Sequence, residues 1–348
     1  MSPATASPAA NQPAIAVVIP CYRVKAQILE VLAAVPPAVR TIYCVDDGCP
    51  EHSGAFVESN AADPRVVVLY NHENRGVGGA MITGYRRALA DGAEIIVKID
   101  GDGQMDPRLL DKFVDPIRRG ASDYTKGNRF FRLEGLSDMP LSRLLGNALL
   151  TFMSKLSSGY WHIFDPTNGY TAIHAAVLNQ LPLDKISPRY FFESDMLFRL
   201  STVRAVVTDV PMTAVYGDRP SGLVIHRIML PFLGGHAVNF LKRIFYNYFL
   251  RDFQIASVEW ILGPILALGG FAFGLARWID ASAANTPATA GTVMVAALPI
   301  IVGVQMILGA LNYDIQNTPQ RPLHPALEPP APDAAAPRAD RPYELERR

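Results

Sequence analysis

The chain has 348 residues, room for one large domain or two modest ones, and its 32 Lys+Arg against 32 Asp+Glu leave a formal net charge of +0. That balance carries no nucleic-acid footprint. The three cysteines (Cys21, Cys44, Cys49) form no C-x-x-C pair and have no histidine at ligand spacing, which argues against a zinc centre and for reduced thiols in a cytosolic compartment. The mean hydropathy of +0.14 is high for a soluble protein, and the excess apolar content sits in the last third.

Residues 1–13 are rich in Ala, Pro and Ser and read as a disordered lead-in. Short Val/Ile-rich runs at 14–19, 41–45, 66–70 and 94–99 predict strands, and the apolar spacing at 26–35, 51–60 and 77–91 predicts helices between them. Such alternation specifies a mostly parallel sheet with helices on both faces and sites at the carboxyl ends of its strands. Further strands are expected at 123–128, 169–174 and 205–210, and helices at 141–157 and 194–203.

The residues that follow these strands carry chemistry. Pro20 and Tyr22 end the first, and Asp46-Asp47-Gly48 ends the second, where a carboxylate can accept from a base N–H or ribose hydroxyls, or cap a helix. Asn74-Arg75-Gly76-Val77-Gly78-Gly79 is a Gly-rich turn leading into a helix, hospitable to phosphate. It is not a dinucleotide fingerprint, because Met81 stands where a third glycine is needed, and no P-loop motif occurs. After the fourth strand comes Asp100-Gly101-Asp102-Gly103-Gln104, two carboxylates at i and i+2 with glycines that keep the space around them open. Hard oxygen ligands of this kind suit Mg²⁺ or Mn²⁺ carrying substrate phosphates. Arg129 can clamp a diphosphate, Asp165 and Asn168 precede the sixth strand, Glu193 and Asp195 open a helix, and Arg219 stands before a membrane-proximal stretch.

Between residues 222 and 254, aromatic and aliphatic residues interleave with Arg227, Lys242, Arg243 and Arg251, the composition of an amphipathic segment lying on anionic lipid. Residues 255–313 then hold two apolar stretches, about 258–278 and 292–313, whose uncharged cores, 260–276 and 293–311, each approach the roughly 20 residues that span a bilayer. Trp260 and Trp278 bracket the first, and the basic residues before it place the preceding domain and both termini in the cytoplasm. The Pro/Ala-rich stretch 314–348 reads as a disordered tail. The expected organisation is therefore a catalytic domain at 14–221, a membrane-surface segment, a two-helix transmembrane hairpin and the tail.

Taken in order, Ile19-Pro20-Cys21-Tyr22, Asp46-Asp47-Gly48, Asn74-Arg75-Gly76, Asp100-x-Asp102-x-Gln104, Gly127-x-Arg129, Asp165…Gly169-Tyr170 and Glu193-x-Asp195 resemble family 2 glycosyltransferases with a GT-A fold. Within that family the chain is most similar to the dolichyl- and polyprenyl-phosphate sugar synthases, and its two trailing spans match membrane-anchored bacterial members. The resemblance implies a Rossmann-like sheet and a nucleotide-sugar donor, UDP- or GDP-linked, bound by Pro20, Tyr22, Asp46, Asp47, Arg75, Gly76, Asp100, Arg129, Asn168 and Arg219. It implies Mg²⁺ or Mn²⁺ at Asp100, Asp102 and Gln104, with Asp102, Asp165, Glu193 and Asp195 around the reacting sugar. The implied acceptor is polyprenyl phosphate, in particular undecaprenyl phosphate, at the cytoplasmic face of the inner membrane, and the lipid-facing surface could support a homo-oligomer. Two positions depart from the family: Arg23-Val24 replace an Asn-Glu pair, and Ser221-Gly222-Leu223 lack the usual lysine. Two rival readings are a processive polysaccharide synthase and a membrane-anchored, non-catalytic nucleotide-sugar-binding protein. The first wants a Gln-x-x-Arg-Trp segment, and Arg277-Trp278 has no Gln at 274; the intact Asp100-x-Asp102 argues against the second.

Overall fold

In its computed structural model the chain is described over residues 13–131, 141–213 and 225–327. The predicted lead-in (apart from residue 13), Arg219 and the last 21 positions of the expected tail, 328–348, lie outside those residues.

Seven strands form one sheet: β1 (Ile15–Cys21), β2 (Val39–Asp47), β3 (Val66–Asn71), β4 (Ile95–Lys98), β5 (Tyr124–Asn128), β6 (Thr171–His174) and β7 (Val207–Pro211), in the order β3-β2-β1-β4-β6-β5-β7. β6 runs antiparallel to both its neighbours, while the remaining pairs are parallel. β1 shows why the early strands read so plainly. Val17, Ile19 and Cys21 point to one face, Ala16 and Val18 to the other, and all five are buried.

The first face is covered by α1 (Ile28–Ala34) and α4 (Leu110–Arg118). α4 was not foreseen, although Leu110, Phe113, Val114 and Ile117 repeat at i, i+3, i+4 and i+7 and all four are buried. The second face is covered by α3 (Val77–Ala90) and α7 (Phe192–Thr202). α3 approaches β1 so closely that a Cβ on Gly84 would stand 2.3 Å from Val18 Cγ1, so glycine is required there. α2 (Ser53–Asn60) follows β2, α5 (Leu141–Ser158) precedes β6, and the short α6 (Ala175–Leu178) follows it.

Beyond β7 the chain forms α8 (Ile225–Phe245), closed by a π-helical turn at Tyr246–Leu250, and then α9 (Ile255–Ala283) and α10 (Ala290–Gln316). The most apolar stretches of α9 and α10 have mean hydropathies of 1.7 and 2.3 with only 11% of each buried, so both helices are long and apolar enough to cross a bilayer. They pack where side chains are small: a Cβ on Gly303 would meet Ala267 N at 2.5 Å, and one on Gly270 would meet Ala296 O at 2.8 Å.

α8 and α10 are fastened to the sheet domain by a buried charge. Arg243 donates to Asp314 through Nη1 (2.6 Å to Oδ1) and Nη2 (3.0 Å to Oδ2), and also to Leu156 O (2.8 Å) at the end of α5. Asp314 further accepts from Tyr248 Oη (2.6 Å) and Trp161 Nε1 (2.8 Å).

Part of the stretch expected to be a disordered tail is ordered. Leu323 N and His324 N each donate to Asp123 at 2.8 Å, and the His324 ring lies 2.7 Å from the same carboxylate while stacking on His174 with centroids 4.2 Å apart. Proline-rich composition therefore misled here: one buried, multiply satisfied acceptor outweighs the entropy of ordering a short strap.

Candidate active site

β4 carries the centre of the site. Lys98, its last residue, is buried to 1% exposure on the face shared with α3 and α7. Its Nζ lies 2.7 Å from Asp100 Oδ1, 3.2 Å from Gly169 O and 3.4 Å from Glu193 Oε1. Burial alone pushes an ammonium down, but Asp100 and Glu193 more than offset this and hold Lys98 above the usual lysine range. A second buried lysine, Lys126 on β5, donates to Asn168 O. Thr171 on β6 is the register partner of both Lys98 and Lys126, so the two ammonium groups flank one strand on one face. Burial pushes Lys126 down to about 8, because Glu193 and Asp165 only partly compensate. Neither lysine was singled out from the sequence. The available signal was a lysine inside each strand run, which demands a buried partner.

Asp100 and Asp102 follow at the carboxyl end of β4, in the crevice expected of an open α/β sheet. Asp102 Oδ1 accepts from Gln104 N at 3.0 Å, and Gly103, at φ +79°, makes that tight turn. The Asp102 carboxyl, exposed beyond the end of β4, is pushed up, first by partial desolvation and then by the neighbouring Asp100 charge. Two carboxylates that repel one another with a cleft open beside them suit a divalent cation. Among the described residues no third His, Cys, Asp or Glu completes a metal cluster. The donor set thus matches Mg²⁺ or Mn²⁺ of the kind that draws its remaining oxygens from substrate phosphate and water.

Arg129, just past β5, and Asp165, before the neighbouring β6, form a bidentate pair, Nε to Oδ2 at 2.7 Å and Nη2 to Oδ1 at 2.9 Å. Asp165 is fully buried and the Arg129 side chain keeps 30% exposure, so the acid positions the guanidinium at the cleft wall. Asn168 binds Tyr170 N through Oδ1 (2.9 Å) and reaches Asp165 through Nδ2 (3.4 Å), shaping the turn into β6.

Other expected positions have structural partners. Asp46 accepts from Cys49 N (2.7 Å) and Gly54 N (2.6 Å), closing the turn from β2 into α2. Asp47 accepts from Asn71 Nδ2 (2.7 Å), Arg75 N (3.1 Å) and Gly76 N (2.7 Å), so it fixes the Gly-rich turn. Gly76, at φ +84°, is pressed against Pro188 O, where a Cβ would come within 2.7 Å. Tyr22 is 42% exposed beyond Pro20, Arg75 is exposed, and Gln104 is exposed at the cleft rim.

Glu193 and Asp195 do not act as one unit. Residues two apart on a helix project roughly 200° from one another, and here Glu193 faces Lys98 while Asp195 faces away from the cleft. Asp195 accepts from Ser187 N (2.8 Å) and Asn239 Nδ2 (3.0 Å), joining α7 to α8.

With that geometry in place, the likeness to known proteins is specific. Residues 16–181 match the sequence model of glycosyl transferase family 2. The chain is 31% identical over 176 residues to the undecaprenyl-phosphate mannosyltransferase of Micrococcus luteus, a match spanning 50% of this chain and 71% of that one. It is also 31% identical over 154 residues to the UDP-N-acetylglucosamine–dolichyl-phosphate N-acetylglucosaminyltransferase of Methanococcus voltae, spanning 44% of this chain and 61% of that relative. Among solved structures, glucosyl-3-phosphoglycerate synthase of Mycobacterium tuberculosis with Mn²⁺, UDP and glucosyl-3-phosphoglycerate superposes with TM-score 0.46 and 19% identity, covering 66% of this chain and 80% of that one. The chain belongs to glycosyl transferase family 2 and is a glycosyltransferase.

Proposed function

We propose that the protein transfers a sugar from a UDP- or GDP-linked donor to polyprenyl phosphate, with undecaprenyl phosphate as the acceptor, at the cytoplasmic face of a membrane crossed by α9 and α10. The observation that carries this reading is the open carboxylate pair Asp100 and Asp102 at the end of β4, in a chain whose next elements are two lipid-length apolar helices. The named relatives that transfer sugars to polyprenyl phosphates support it.

Asp100 and Asp102 would hold Mg²⁺ or Mn²⁺ with Gln104 beside them. When bound, the cation supplies positive charge that stabilises the leaving nucleoside diphosphate. Lys98 fixes Asp100 in place, and Asp165 aims Arg129 at the cleft. A phosphate monoester has a second pKa of about 6 and is largely dianionic near pH 7, so its oxygen can attack the anomeric carbon without a protein base. The diphosphate departs from the opposite side, which inverts that carbon. Glu193, already engaged with Lys98, orients groups in this scheme and takes no proton.

The test is incubation of membranes containing the protein with undecaprenyl phosphate, a panel of nucleotide sugars and Mg²⁺ or Mn²⁺, with lipid products identified by mass. The expected result is one lipid-linked sugar, absent for Asp102→Asn. No lipid-linked sugar from any donor overturns the reading.

A further inference from the structure

A cavity of about 340 Å³ lies where the sheet domain meets the start of α9 and the end of α10, outside the carboxylate cleft. Its volume falls within the roughly 300–1,000 Å³ of small-molecule sites. Two guanidinium groups line it, Arg204 from the turn before β7 and Arg251 from the stretch before α9, together with Tyr248, Tyr313, Asn317 and Gln254.

Among the described residues, both arginines hydrogen-bond only to neutral acceptors. Arg204 Nη2 donates to Asn317 O (3.1 Å) and Asn317 Oδ1 (3.2 Å). Arg251 donates to Asn247 Oδ1 (3.2 Å) and to Thr202 O. All of these acceptors are neutral, and among the described residues neither guanidinium is ion-paired. Asp252, the carboxylate in the lining, is engaged by Gln254 Nε2. By contrast, the buried Arg243 is answered by Asp314, and Arg129 by Asp165. Burial and the neighbouring Arg204 push Arg251 below the usual guanidinium range, as expected when two like charges are held together without an anion. The positive dipole end of the 29-residue α9 and the negative dipole end of α10, capped by Asn317, meet at this cavity and offset one another, so the two guanidinium groups carry its positive charge.

The cavity also lies at a defined depth. At 1.5 Å per residue, helices of 29 and 27 residues measure roughly 40 Å, longer than a hydrocarbon core of about 30 Å. Arg251 stands four positions before α9, and Asn317 caps α10, so both belong to the headgroup layer, where lipid phosphates lie.

We propose that this cavity binds the phosphate of an anionic membrane lipid, held by Arg204 and Arg251 at the junction of the sheet domain and the two apolar helices, apart from the catalytic cleft. The planar guanidinium fork matches phosphate oxygens, and the two phenols extend the donor set. The proposal rests on α9 and α10 crossing a bilayer, and is independent of the sugar or acceptor.

The test uses the full chain in nanodiscs of phosphatidylcholine, with phosphatidylglycerol added, or with inorganic phosphate added instead. Phosphatidylglycerol is expected to raise the unfolding midpoint and to remain bound in native mass spectra, while inorganic phosphate does neither. The pair Arg204→Gln and Arg251→Gln abolishes both effects, whereas Arg277→Gln, at the far end of α9, leaves them intact. If the double variant fails to fold, Arg251→Gln alone reads the same site, with an affinity for phosphatidylglycerol about tenfold lower for the loss of one charge-assisted contact. A phosphatidylglycerol effect that survives these substitutions overturns the proposal, and an equal effect of inorganic phosphate overturns its lipid source. Failure of the chain to enter nanodiscs overturns the membrane reading itself, which separates that failure from failure of the lipid site.

Discussion

Lys98 and Asp100, two residues apart at the end of β4, form an ion pair with Nζ 2.7 Å from Oδ1, and the lysine side of that pair is out of reach of solvent. The pair turns a strand end into a fixed support, because a buried ammonium must keep its acceptors or lose its charge. Asp100 is therefore already oriented before any substrate arrives.

Lys98→Met tests that support. Removing one partner of a buried charge pair costs about 3–5 kcal/mol, and because Asp100 keeps 31% exposure the expected loss is nearer 2–3 kcal/mol. Misplacement of Asp100 is expected to lower kcat/KM about a hundredfold. Chemical unfolding and donor-turnover assays measure the two separately, and unchanged turnover would show that Asp100 needs no ammonium to hold its place.

Glu193→Gln and Asp195→Asn are expected to diverge. Glu193→Gln weakens the hold on Lys98 and lowers activity while leaving it measurable, because the proposed phosphate-monoester acceptor needs no base. Asp195→Asn takes an acceptor from Ser187 N or Asn239 and costs about 1–3 kcal/mol of stability, with kcat near that of the parent. Complete loss of turnover in Glu193→Gln, with metal affinity intact, would point to a hydroxyl acceptor that requires a base.

Arg243→Met and Asp314→Asn break the charge that joins α8 and α10 to the sheet domain. Both side chains are almost wholly buried, at 2% and 4% exposure, so each change is expected to cost about 3–5 kcal/mol. The double variant should lose clearly less than the sum, since the two act on one interaction. Thermal unfolding in detergent gives the three values, and strict additivity would contradict the pairing.

Acid should loosen the ordered strap. Burial and the neighbouring His324 ring push His174 down to about 4, and its Nδ1 accepts from Ala176 N at 3.2 Å, a bond only the unprotonated nitrogen can make. The unfolded chain takes this proton near 6.5, so the contribution of His174 is complete above that value and falls as pH drops towards 4. Burial pushes Asp123 up, but hydrogen bonds from His324, Leu323 and Val206 outweigh it and keep the carboxyl low, so Asp123 stays charged through this window. Unfolding free energies from neutral to mildly acidic pH should show this slope, and His174→Asn, which keeps a capping acceptor, should flatten it. An equal slope in both proteins would place the acid sensitivity elsewhere.

The sequence made some of this architecture plain and hid the rest for physical reasons. Strands β1, β2 and β4 are legible because burial on both faces forces apolar runs, and the half-buried edge strand β3 is legible from its Val66-Val67-Val68-Leu69 run. The reversed direction of β6 is not, since Thr171-Ala172-Ile173-His174 pairs equally well either way until its neighbours are known. The Asp100-x-Asp102 pair stands out in the sequence less for its spacing, which a solvated turn shares, than for its place at the end of a buried strand within an ordered set of strand-end motifs. Asp46 and Asp47 are harder, because a carboxylate that organises backbone N–H groups and one that awaits a ligand look alike in one dimension. Lys98 and Lys126 were passed over because lysine is read as surface unless its strand is known to be central.

The strap that carries Leu323 and His324 back to Asp123 closes a loop in the chain: it leaves the sheet domain through α8, runs out and back along α9 and α10, and is tied down again on the far side. A domain anchored by one tether can swing about it. One held at Arg243–Asp314 and again at Asp123 has a set height and tilt relative to α9 and α10; if those helices cross a bilayer as proposed, a lipid acceptor would have to travel sideways to a stationary mouth.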